Sequence, residues 1–103
     1  MKIYKLIINP FAEEDLVNSK QYFDEQREGL GNEFVSEVKK TAKRIEQNPN
    51  QFPKQNAQIH KANVDRFPFS IFFYIKDLII NVFAVFHTSR NPTTIKQRYK
   101  STD

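Results

Sequence analysis

The sequence predicts an α+β domain in which a hairpin of two helices packs on a four-stranded antiparallel sheet. Three observations carry this. Apolar residues recur at three- and four-residue intervals from Ala12 to Ile45; two apolar runs, Phe69 to Ile75 and Leu78 to Phe86, flank the dipeptide Lys76-Asp77; and a short β-branched run opens the chain. At 103 residues the chain is expected to be one domain with one core, and its ten Phe and four Tyr, with no Trp, make that core one of phenyl rings.

Lys2 to Ile8 reads as the first strand, closed by Asn9-Pro10. A helix follows at once, because Asn9 suits the cap, Pro10 the first helical position, and Glu13, Glu14 and Asp15 the positive end of the helix dipole. Ala12, Leu16, Ser19 and Phe23 form its buried face. It ends near Gly29, and Leu30, Phe34, Val38, Ala42 and Ile45 carry the same period through a second helix that stops at Asn48-Pro49. The exposed side of that helix, with Glu37, Lys39, Lys40, Lys43, Arg44 and Glu46, reads as a solvated face laced with short-range ion pairs. Ala57 to Val64 is a weakly patterned edge strand, guarded by His60 and Lys61. The two long runs must pair antiparallel across their short connection, and their lack of alternation places them mid-sheet with both faces covered. Residues from about 93 to 103 read as a flexible basic tail.

Composition excludes several chemistries. With no Cys there is no disulfide, thiolate zinc site or cysteine nucleophile, and two His are too few for a His-rich metal cage, so neither metal nor cofactor is expected. The apolar runs are too short for a signal peptide or a membrane helix, which points to a soluble cytoplasmic protein. Charge is unevenly spread: residues 1–51 carry eight Lys and Arg against nine Asp and Glu, and residues 52–103 carry eight against three. The second half therefore offers a basic surface to phosphates or to an acidic protein.

The second long run gives way abruptly to a polar exit, His87-Thr88-Ser89-Arg90-Asn91-Pro92, which sets a titratable ring and a guanidinium where the chain leaves the sheet. The order βααβββ, Asn-Pro near the second helix end, Phe67-Pro68-Phe69 opening the third strand, and Phe83-Ala84-Val85-Phe86-His87-Thr88-Ser89-Arg90-Asn91-Pro92 closing the fourth resemble the RelE/ParE superfamily of bacterial toxins. The resemblance covers nearly the whole chain. It implies the toxin of a type II toxin–antitoxin module, held inactive by a cognate antitoxin that wraps it. RelE-like members cut messenger RNA on the ribosome, ParE-like members poison DNA gyrase, and a degenerate member would serve only to bind antitoxin.

Metal-free RNA cleavage needs a proton acceptor for the 2′-hydroxyl, cations for the phosphate and an acid for the leaving oxygen. Under that reading His87 and Arg90 are the catalytic candidates. Lys54, Lys61, Arg66, Lys96, Arg98 and Tyr99 are candidates for holding RNA or another target. Each has a plainer role available. His87 can cap a strand end, Arg90 can pair with a carboxylate of the helical hairpin, and Phe72, Phe73, Tyr74, Phe83 and Phe86 can be core. RelE-like nucleases carry an arginine early in the third strand where this chain has Ser70, and their C-terminal tyrosine has only a loose match in Tyr99. The His-Thr-Ser-Arg-Asn-Pro exit sits closer to the ParE-like branch, which is the favoured reading.

Overall fold

The structure, a computed structural model, describes residues 2–56 and 58–102. The chain runs β1 (Lys5–Ile8), α1 (Pro10–Gln26), α2 (Leu30–Gln47), a 3-10 turn (Pro49–Gln51), β2 (His60–Asn63), β3 (Phe69–Lys76), β4 (Ile79–His87) and α3 (Pro92–Thr102). Ala57, the expected start of the second strand, lies outside the described residues. The Asn9 carboxamide accepts from the Ala12 amide at 2.9 Å and Pro10 opens α1, so the cap is the one the sequence specifies.

The sheet order is β1-β4-β3-β2, with the two long strands in the middle and β2 at one edge. β2, β3 and β4 pair antiparallel, but β1 pairs parallel with β4, so the sheet is mixed rather than antiparallel throughout. The cause lies in the helical hairpin. α1 carries the chain along the part of β4 that outruns β1, and α2 brings it back to the start of β1, where Tyr4 Oη accepts from Asn50 Nδ2 at 3.2 Å and Glu46 accepts from the Leu6 amide at 3.3 Å. A meander of three strands begun from that end lays its last strand parallel to β1. The β3–β4 turn falls one residue later than the sequence suggests, on Asp77-Leu78, with Asp77 at φ 58° in the left-handed region that Asp tolerates.

Two apolar layers sandwich the sheet. On the hairpin side Phe23, Phe34, Phe67 and Phe69 interlock with ring centroids 5.0 to 5.6 Å apart. On the other side Phe72, Phe83 and Phe86 pack with Ile59 under Ile95 of α3. The segment read as a flexible basic tail is thus, through Thr102, a helix with a buried residue, and Asp103 lies outside the described residues. The non-alternating pattern of β3 and β4 already required such a cover, which the strongly polar sequence Pro92 to Thr102 does not advertise.

α1 and α2 meet at Gly31. Its amide donates to Asp24 Oδ1 at 2.8 Å, and a Cβ here would stand 2.5 Å from the Lys20 carbonyl oxygen. Asp24 also accepts from Lys20, and that bond together with the Gly31 amide lowers the Asp24 pKa below its ordinary value. Replacing an ordinary helical glycine by alanine stabilises by up to about 1 kcal/mol. Gly31→Ala is expected to reverse that sign and destabilise by about 2 kcal/mol in urea unfolding, because the helices cannot part without disturbing the ring layer.

The β2–β3 connection is held to α2 by charge. Arg66, at φ 71°, donates to Glu33 at 2.8 Å, approaches Glu37 at 3.5 Å and lies over the Phe67 ring. Hydrogen bonds from Arg66 and then Arg27 keep the Glu33 carboxyl below its ordinary pKa. Glu37, expected on the solvated face, is instead buried at 8% exposure.

Candidate functional site

β1 pairs with β4 only as far as Val82, and a bulge at Phe83 follows, since Phe73 pairs with Val82 and Phe72 with Ala84. The last stretch of β4 therefore has an edge that no strand covers. Two side chains from distant parts of the sequence fill it. Asp15 of α1 accepts from the Val85 amide at 3.0 Å, and Arg98 of α3 donates to the Phe83 carbonyl at 3.0 Å. The same two side chains form a bidentate pair, at 2.8 and 3.0 Å, with side-chain exposures of 13% for Asp15 and 21% for Arg98. Arg98, a target-binding candidate by sequence, is thus committed to joining α1, β4 and α3. A carboxylate of the helical hairpin does hold the C-terminal segment down, with Arg98 in the role foreseen for Arg90.

Arg90 is left available. Its guanidinium lies 4.4 Å from the Phe86 ring centroid, and it makes no ion pair among the described residues. It forms a common wall of two adjoining clefts. One, of about 220 Å³, is lined by Asp15, Asn18, Tyr22, Phe69, His87 and Arg90. The other, of about 280 Å³, is lined by Phe11, Phe86, Arg90, Thr94, Gln97 and Arg98. Together they make a groove along α1, with the half-exposed rings of Tyr22 and Phe11 at its two ends.

His87 is exposed at the rim, its ring edge-on to Phe69 at 5.6 Å. The Ser89 amide donates to His87 Nδ1 at 3.1 Å and the Ser89 hydroxyl lies 2.8 Å from the same atom. Since an N–H can only donate, Nδ1 must be the acceptor, and the ring proton of a neutral His87 sits on Nε2. In that tautomer the ring, which lines the first cleft, has a donor at Nε2.

The remaining candidates do not gather here. Lys54 is exposed in the loop before β2, bridged to His60, and Lys61 is half-buried on the β2 edge. Arg66 is engaged by Glu33 and Glu37. Lys96 is exposed on α3, and Tyr99 packs on Tyr74 and Phe83 at 5.2 and 5.5 Å. Ser70, where RelE-like nucleases have arginine, is fully buried and donates to Asn63 at 2.7 Å, so that position cannot meet a phosphate. Sequence reasoning missed the opposite wall. Phe11, Asp15, Asn18 and Tyr22 form a helical stripe one residue ahead of the buried face Ala12, Leu16, Ser19 and Phe23, and that offset was the signal available.

Among the described residues no helix is long and apolar enough to cross a membrane. No family model and no curated protein sequence matches the chain. Among solved structures the chain is similar to one described as the chromosomal ParDE TA system from P. aeruginosa, at 19% identity and a TM-score of 0.75, covering 82% of this chain and 96% of that one. The chain's own scaffold, a helical hairpin on a four-stranded mixed sheet followed by a C-terminal helix, thus has the βααβββ order expected from the RelE/ParE resemblance, and its fold resembles that of a solved ParDE structure.

Proposed function

We propose that the chain is the toxin of a bacterial type II toxin–antitoxin module, acting in the cytoplasm in the ParE-like manner on DNA gyrase and neutralised by a cognate antitoxin. The observation that carries this is the groove along α1. It offers apolar anchors, Phe11 and Tyr22, beside Arg90, a cation unpaired among the described residues, a combination suited to an acidic amphipathic segment. An antitoxin seated there would cover Arg90 and His87, the groups free to engage a target. Gyrase binding is favoured over RNA cutting because the set a nuclease would draw on is dispersed. Ser70 is buried, Arg98 is paired, Tyr99 is packed, and His87 Nδ1 is occupied by the Ser89 amide.

Inducing the gene should arrest growth and shift plasmid supercoiling before translation falls, and Arg90→Ala should relieve the arrest at least tenfold in viable count. An arrest that begins with cleavage of ribosome-bound messages would replace the gyrase reading with the nuclease one. Normal growth with undiminished antitoxin binding would leave a binding module without toxicity.

A further inference from the structure

α2 carries Lys39, Lys40, Lys43 and Arg44 on its outer surface, all exposed. By sequence they share that surface with Glu37 and Glu46, but the folded chain draws both acids toward other partners. Glu37 is buried beside Arg66, and Glu46 turns to the Leu6 amide of β1. Lys40 keeps a 3.5 Å contact with Glu37 at 69% side-chain exposure, Arg44 leans over the Phe52 ring at 5.6 Å, and Lys39 and Lys43 have no carboxylate partner among the described residues. What remains is a stripe of four cations over six residues, in which Lys39 and Lys43, and Lys40 and Arg44, are like-charge neighbours at i,i+4. Such pairs destabilise a helix, and among the described residues no carboxylate offsets Lys39 or Lys43.

From this we infer that the outer stripe of α2 docks on the phosphate backbone of a double-stranded nucleic acid, independently of base sequence. Phosphates relieve the repulsion between the lysines and need only charge and hydrogen-bond donors from the protein. A protein partner needs buried apolar or aromatic anchors at the centre of its interface. The stripe has none, and the large exposed apolar side chains, Ile3, Ile7, Phe11, Val17, Tyr22 and Leu78, all lie on other elements. The inference stands apart from the toxin reading, because the α1 groove and the α2 stripe share no residue.

The test is fluorescence anisotropy of the purified chain with labelled 20-base-pair DNA and RNA duplexes across a monovalent salt series, with polyglutamate as a third probe. Four phosphate contacts predict a slope of log K against log salt of about −3.6, which weakens binding by roughly a hundredfold between 50 and 200 mM. Lys39→Gln with Lys43→Gln should bring the slope to about −1.8 and leave the melting temperature unchanged or raised, so that lost binding cannot be lost folding. Equal binding of both duplexes supports the backbone alone, and binding of only one names the source. No duplex binding at low salt, an unchanged slope in the double variant, or tighter binding of polyglutamate than of either duplex would overturn the inference.

Discussion

Asp15→Ala is expected to destabilise the protein by about 3 kcal/mol, lowering the melting temperature by roughly 15 °C. The change removes three hydrogen bonds at once, two from Arg98 and one from the Val85 amide, and leaves a largely buried guanidinium without its counter-charge. Breaking a pair in this way costs more than the pair itself is worth, because the surviving charge keeps its desolvation penalty. Asp15→Asn, which keeps an acceptor for Val85, should lose about half as much. Arg98→Lys should not behave as conservative, since one ammonium cannot span both Asp15 oxygens and the Phe83 carbonyl. Hydrogen exchange adds a spatial check: protection should fall first in α3 and in the last residues of β4. An Asp15→Ala protein melting within a few degrees of the parent would mean that the Asp15–Arg98 pair contributes little to holding α3.

Phe34→Ala is expected to cost about 4 kcal/mol, a large share of the 5–15 kcal/mol typical of a whole domain. Phe34 is fully buried, and its ring touches those of Phe23, Phe67 and Phe69 at 5.0, 5.2 and 5.1 Å. Its removal opens a cavity where α1, α2 and the start of β3 converge, and three neighbouring rings cannot collapse into it together. Val17→Ala on the exposed side of α1, at 64% exposure, should stay within about 0.5 kcal/mol of the parent. Urea unfolding of the two variants side by side separates cavity formation from a general sensitivity to truncation.

Much of this architecture was legible in the residues because short-range rules decided it. Asn9-Pro10 fixed the start of α1, the three- and four-residue spacing picked out Phe23, Phe34 and Ile45 as core, and the two apolar runs could only be neighbours at the sheet centre. The parallel pairing of β1 was not legible, since it depends on which end of the sheet the helical hairpin returns the chain to. Nor was α3. Its helix presents Ile95 and Tyr99 to the sheet amid Lys96, Arg98 and Lys100, too few apolar positions to distinguish it from a solvated tail. The candidate site was half visible. His87 and Arg90 stood out at a strand exit, whereas Asp15 and Arg98 are 83 positions apart and their pairing is a property of the folded edge of β4.

The measurement that bears most directly on the proposed function is gyrase supercoiling of relaxed plasmid, titrated with the purified chain and with its Arg90→Ala variant. Inhibition by the parent at near-stoichiometric concentration, lost in Arg90→Ala while thermal melting stays unchanged, is the expected result. Full supercoiling activity in the presence of excess folded parent protein would contradict the assignment of gyrase as the target.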